Sequence, residues 1–95
     1  MNFVVAERKL LYSQKGGSEK KELTIRVGKP YLDKEGIARC PVEWDGLFED
    51  FADMAGADLL HALHLAADVD SMLSKLRNKY DFFWDSGEPY FEDPS

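Results

Sequence analysis

The sequence predicts an α+β fold in which an antiparallel sheet of three or four strands packs on one long C-terminal helix, in the order β-β-β-α-β. Three segments in the first half alternate apolar and polar residues, which is typical of half-buried strands. Residues 57–79 instead repeat apolar residues every three or four positions, which is typical of an amphipathic helix. We expect residues 1–95 to form a single domain, with an acidic tail at 86–95 whose order the sequence leaves open.

Strands joined by short turns are expected at residues 2–12, 21–31 and 37–45. The first carries apolar residues on both faces, so we expect an interior strand, whereas the other two alternate and bury one face. Pro41 has no N–H and therefore belongs at a sheet edge or at a bulge of the third strand. Tyr80, Phe82 and Trp84 alternate with Asp81, Phe83 and Asp85, and this pattern predicts a short fourth strand.

The buried face of this sheet requires a cover, and the expected cover is one helix of about 34 Å over residues 57–79. Asp58 is expected to cap it or to lie in its first turn, because a carboxylate there suits the positive end of the helix dipole. The expected core combines the two periodicities and consists of Leu23, Ile25, Val27, Val42, Trp44, Ala62, Ala66, Val69 and Leu73.

Charge is divided unevenly along the chain. Residues 1–39 hold nine basic and five acidic residues, a net of +4, and residues 40–95 hold three basic and thirteen acidic residues, a net of −10. The whole chain therefore has a formal charge of −6. We expect one strongly negative surface, and we expect no binding to nucleic acid, because phosphates would repel it.

The chain has a single cysteine, Cys40, so it cannot form an internal disulfide, which is consistent with a reducing compartment. It has no secretory leader pattern and no apolar run of membrane-spanning length. We therefore expect a cytoplasmic protein without a membrane partner or a cofactor. We expect Cys40 itself to be a buried structural thiol on the inward face of its strand.

Several short motifs follow one another along the chain. They are AERKL at residues 6–10, RVGKP at 26–30, CP at 40–41, AGAD at 55–58 and ALHLA at 62–66. By these motifs the chain resembles a family of small uncharacterised bacterial proteins, a domain of unknown function, over nearly its whole length. The family usually carries Gln near the position of His61, where this chain differs. The resemblance implies a bacterial cytoplasmic domain, and it implies no known activity.

An acidic cluster with interspersed aromatic residues is the first candidate site. It consists of Glu43, Asp45, Glu49, Asp50 and Asp53, together with Trp44, Phe48 and Phe51. Paired carboxylates can act as general acid and base, and aromatic residues among acids can dock a basic protein; the plainer interpretation is a solvated loop. We interpret the cluster as a docking surface. Its expected contacts are Glu49, Asp50, Asp53 and Trp84, since Trp44 falls on the buried phase of its strand.

A second candidate site is a stripe of His61, His64 and Asp68 on the predicted helix. At 100° per residue these side chains lie within about 60° of one another, and both residue types, His and Asp, bind metals. The plainer interpretation is a polar helix face that also includes Lys75 and Lys79, and a pH-sensitive contact is a further alternative.

Apolar residues also lie on the flank of the predicted helix, at Leu60, Leu63 and Ala67. Either the loop of residues 45–55 covers them, or they form a surface for self-association, so a homodimer is left open. The function we expect is that of a small, acidic, non-catalytic protein-interaction module, immunity-like by class analogy alone. The alternative is a metal-binding protein or an enzyme centred on the His61, His64 and Asp68 stripe.

Overall fold

The computed structural model describes residues 3–47 and 51–91, and it shows that the predicted sheet on one long helix is wrong. Strands make up 43% of the structure and helices 19%, so this is a small β-rich α+β fold with two antiparallel sheets. The elements are β1 (Val4–Gln14), β2 (Lys21–Gly28), β3 (Tyr31–Leu32), β4 (Ala38–Cys40), β5 (Val42–Asp45), β6 (Met54–Gly56), α1 (Leu59–Ala67), α2 (Val69–Lys75) and β7 (Tyr80–Trp84).

Sheet 1 has the strand order β5-β2-β1-β7, and sheet 2 has the order β3-β4-β6. In sheet 1, Leu10 of β1 pairs with Leu23 of β2 on one side and with Trp84 of β7 on the other. The prediction that the first strand lies inside the sheet is therefore confirmed where β7 covers it. The predicted short fourth strand is confirmed as β7.

The strand expected at residues 37–45 is divided at Pro41 between the two sheets. Before the proline, β4 pairs with β3 in sheet 2; after it, β5 pairs with β2 in sheet 1. Pro41 cannot donate to a ladder, but its carbonyl accepts the N–H of Gly28 at 2.9 Å. The β2–β3 arm and the β4–β5 arm thus form one long hairpin that changes sheet halfway along. At its tip Asp33 accepts two backbone N–H groups, and Gly36 adopts a positive φ of 83°.

The helix expected over residues 57–79 is two short helices, because the chain leaves helical geometry at Asp68 (φ −80°, ψ 64°). The hydroxyl of Ser71 donates to the Asp68 carboxylate at 2.7 Å, at the start of α2. The apolar spacing runs unbroken from Ala66 to Val69 and Leu73, so the periodicity gave no sign of the break. Neither α1 nor α2, the helices of the described residues, has the length and apolar character needed to span a bilayer.

All nine residues of the predicted core are buried, but they belong to two clusters rather than one. Cluster 1, between sheet 1 and α2, consists of Leu10, Tyr12, Leu23, Ile25, Val42, Trp44, Leu47, Val69, Met72, Leu73, Leu76 and Phe82. Cluster 2, between sheet 2 and α1, consists of Val27, Ala38, Cys40, Ala62 and Ala66. The small residues of cluster 2 let α1 lie close to sheet 2. At Gly56 of β6 there is no room for a side chain, because a Cβ there would lie 2.5 Å from the backbone nitrogen of Ala62 in α1.

Truncation of Leu73 tests the placement of α2. Leu73 is 0% exposed in cluster 1, so Leu73→Ala should lower the free energy of unfolding by about 2–5 kcal/mol, through lost apolar burial and the cavity left behind. Leu60 is 76% exposed, so the matched change Leu60→Ala should stay within about 0.5 kcal/mol. Urea unfolding followed by circular dichroism measures both, and equal losses at the two positions would contradict this packing.

Candidate protein-interaction surface

Of the four expected partner contacts, the described residues include Asp53 and Trp84, which lie beside different sheets. Glu49 and Asp50 lie outside those residues. Asp53 accepts the hydroxyl of Tyr31 at 2.6 Å and so belongs with β3 of sheet 2. Trp84 ends β7 of sheet 1 and is 40% exposed. Trp44 is buried in cluster 1, which confirms the phase predicted for it.

The His61, His64 and Asp68 stripe is not assembled as the sequence suggested. Asp58 caps α1, as expected, by accepting the N–H of His61 at 2.8 Å, and the Nδ1 atom of His61 accepts the N–H of Ala57 at 2.8 Å. Asp68 lies beyond the end of α1, so the three side chains do not share one helix. Within residues 3–47 and 51–91, no group of three or more His, Cys, Asp and Glu residues is placed to hold a metal ion.

Cys40 is buried, as predicted, and its thiol donates to the carbonyl oxygen of Gly28 at 3.3 Å. Burial raises the pKa of the Cys40 thiol, because the thiolate would lose its hydration. A thiol kept protonated and away from solvent is a poor nucleophile. The thiol therefore acts as part of the packing of cluster 2.

Sequence reasoning missed a charged arrangement on the outer face of sheet 1, the face away from α2. Arg26 of β2 lies between Glu7 of β1 and Glu43 of β5 in the strand register. Its guanidinium is 3.4 Å from Glu7, 3.8 Å from Glu43 and 3.3 Å from Asp45. We call these four residues the acidic patch. One guanidinium cannot neutralise three carboxylates, so the patch keeps a formal charge of −2.

The acidic patch faces solvent. The carboxylates of Glu7, Glu43 and Asp45 are all exposed, while Arg26 beneath them is half-buried. Lys9 and Glu22 lie on the same face and are exposed as well. The alternation of each strand directs apolar residues to cluster 1 and these charges outward. The patch is thus a fixed negative surface on a rigid sheet, and it includes residues from three strands far apart in sequence.

A second surface feature is a stack of Arg8, Trp84 and Tyr90 at the side of sheet 1. The Arg8 guanidinium lies 5.4 Å from the Trp84 ring centroid and donates to the Tyr90 hydroxyl at 2.6 Å. The two ring centroids are 4.6 Å apart. Tyr90 in turn donates to Asp70 of α2. Trp, Tyr and Arg are the residue types that most often dominate binding energy at interfaces.

The segment after β7 forms this stack by folding back. The N–H of Trp84 donates to the carbonyl of Glu88 at 2.8 Å, and the N–H of Tyr90 donates to the carbonyl of Phe82 at 2.9 Å. Residues 86–91, the first part of the expected acidic tail, therefore lie along β7. Burial and the hydrogen bond to Asp70 raise the pKa of Tyr90 to about 12.

Titration of Tyr90 tests its contact with Asp70. The pKa of Tyr90 in the folded protein, about 12, exceeds the ordinary value of about 10. The burial of protonated Tyr90 and its hydrogen bond to Asp70 should therefore stabilise the protein below pH 10, and this contribution should be lost as pH rises from about 10 to about 12. Asp70→Asn should lower the pKa of Tyr90, as followed by phenolate absorbance.

The matched control is Asp53→Asn. A hydrogen bond from Tyr31 to Asp53 raises the pKa of Tyr31, so this change should lower the pKa of Tyr31 and leave Tyr90 unaffected. A Tyr90 that titrates at the ordinary value in the native protein would show that the contact with Asp70 does not form.

Comparison with known proteins gives no relative for this chain: no protein-family model, curated protein sequence or solved structure matches it. The resemblance to small uncharacterised bacterial proteins stays a prediction. The acidic patch and the Arg8–Trp84–Tyr90 stack are therefore interpreted from their own chemistry.

Proposed function

We propose that this chain is a small, acidic, non-catalytic protein-interaction module of the bacterial cytoplasm, and that its partner is a basic protein. The observation that carries the proposal is the acidic patch, in which Glu7, Glu43 and Asp45 share the single guanidinium of Arg26. Strand pairing holds these carboxylates in place before any partner arrives. Binding would therefore cost less conformational entropy than it would on a flexible acidic loop.

Charge complementarity supports a basic partner. The net charge of −10 over residues 40–95 would speed encounter with a cationic surface, and salt would weaken the attraction. A lysine or arginine of the partner would meet the two carboxylates that Arg26 cannot neutralise. Glu49, Asp50 and Asp53 remain candidate contacts, since they follow Asp45 closely in sequence and carry the same charge.

An immunity-like role is one form that this function would take. Proteins that act on nucleic acids carry basic surfaces to bind phosphates. A rigid acidic patch that covers such a surface would block it without any chemistry. A toxin with a basic active face is therefore the class of partner that suits this module best, and the class analogy is the same one that the acidic sequence suggested.

The test is capture of host proteins on immobilised protein, comparing the native chain with a Glu43→Lys, Asp45→Lys double variant. The native chain should retain a basic protein whose association rate falls as salt rises. The double variant should associate with the same protein at least about tenfold more slowly, because charge steering changes rates by about 10- to 1,000-fold.

The matched control is Glu19→Lys, Glu35→Lys, which changes the net charge equally at exposed positions away from the patch. It should associate nearly as fast as the native chain. A neutral pair, Glu43→Gln with Asp45→Asn, guards against a folding defect caused by new positive charges beside Arg26. Equal association of the patch variant and the control would mean that the patch is not the docking surface.

A further inference from the structure

Strand β1 has a free edge over half of its length. β2 pairs with one edge of β1, and β7 pairs with the other edge only from Gln14 to Leu10. Along residues 4–9 of β1, no strand of the described residues pairs with that second edge. Apolar side chains are exposed at this end, with Phe3 64% and Val5 47% exposed. An uncovered edge of this kind can template pairing with another strand.

Alternate residues of the free segment direct their backbone groups outward, and a register shift between Val4 and Ala6 interrupts the alternation at its first end. Trp84 bonds through both its N–H and its C=O, at 2.8 Å each, to the segment that folds back along β7, so it turns away from β1. Its neighbour Phe83 therefore exchanges ladder bonds with its register partner Leu11. Because direction alternates along a strand, Lys9 and Glu7 direct their N–H and C=O groups to the same edge, where β7 has ended.

An apolar groove follows the free segment on the inner face. It has a volume of about 150 Å³ and is lined by side chains that include Ala6, Arg8, Val27 and Val69. A strand added along residues 4–9 would direct every second side chain to this face. The edge therefore offers main-chain hydrogen bonds and a side-chain pocket together, which is how sheets recruit an extended segment.

We propose that the strand that completes this edge is β1 of a second copy of the chain, paired antiparallel. The inference goes beyond the proposed function, because it uses the edge of β1 and needs no foreign partner. Two copies related by a two-fold axis join their four-stranded sheets into one, with β1 against β1 at the centre. The incoming strand lies end to end with β7. The last pair of β1 with β7 is Leu10 with Trp84, so the incoming strand cannot pair with β1 beyond this point.

The two ends of the free segment are complementary, which favours a second copy as the occupant. One end carries the exposed Phe3, and the N–H of Lys29 donates to its carbonyl at 3.0 Å. The other end carries Lys9, next to the exposed Trp84 and Asp85 at the end of β7. Antiparallel pairing sets Phe3 of each copy against Trp84 of the other and brings Lys29 towards Asp85. Symmetry makes each contact twice.

The distribution of apolar and charged residues along the free segment favours antiparallel pairing. The free segment begins with apolar Val4 and Val5 and ends with the charged Glu7, Arg8 and Lys9. Antiparallel pairing places the apolar half of one strand against the aliphatic stems of the charged half of the other. Parallel pairing in register would instead oppose like charges. Each copy uses its free edge once, so the assembly closes as a dimer.

The first experiment removes one outward donor. Sedimentation equilibrium of the native chain should show a monomer and a dimer in concentration-dependent exchange. Glu7→Pro removes an N–H that points to the free edge. An edge strand tolerates proline at such a position, so the monomer should still fold. The change should raise the dimer Kd at least about tenfold. Glu7→Ala loses the same carboxylate but keeps the N–H, so its Kd should stay within about threefold of the native value.

The second experiment tests the complementary ends and does not depend on a proline variant that folds. Lys29→Glu and Asp85→Lys should each weaken the dimer at low salt, about tenfold, because each opposes like charges. The double variant restores the pair with reversed polarity and should return to within about threefold of the native Kd.

Three outcomes would overturn the proposal. A native chain that stays monomeric up to about 1 mM would show that the edge is not used. A double charge variant no tighter than the weaker single one would exclude this pairing. A dimer unaffected by Glu7→Pro but dissociated by Leu60→Glu would place the contact on α1. None of these outcomes bears on the basic partner, because the measurements use purified protein alone.

Discussion

The division of this fold into two sheets depends on Pro41, because proline has no N–H to donate to a strand ladder. Cys40, before it, pairs in sheet 2, and Val42, after it, pairs in sheet 1. The Pro41 carbonyl still accepts the N–H of Gly28, so the two sheets remain joined at this point. Two sheets require two covers. The helical segment supplies them by breaking at Asp68, and the packing divides into a large aliphatic and aromatic cluster and a small-residue cluster.

The sequence predicted which way side chains point far better than what they point at. Alternation and helical spacing compare residues two to four positions apart, so the buried faces of β2 and of both helices could be read correctly. What a buried face packs against depends on distant parts of the chain. One continuous stripe through Ala66, Val69 and Leu73 therefore looked like one helix, although it serves two clusters. Strand β6 is three residues long, too short to show alternation.

The same limit explains the candidate sites. The sequence could group Glu43 with Asp45, because they are two residues apart, but it could not add Glu7, which joins them only through strand pairing with Arg26. Each member of the acidic patch does lie on the outward phase of its own strand. A correct strand order would therefore have been enough to find it. The burial of Trp44, by contrast, is a local property of phase and was predicted correctly.

The pairing of β1 with β7 also affects how the chain folds during synthesis. Arg8 and Tyr90, which hydrogen-bond to each other, are 82 residues apart in the sequence, so this side of sheet 1 cannot close until Tyr90 has been synthesised. The β1–β2 hairpin needs only a short turn and can form much earlier. A nascent chain therefore exposes the outer edge of β1 over its full length, and crowded nascent chains are open to mispairing there.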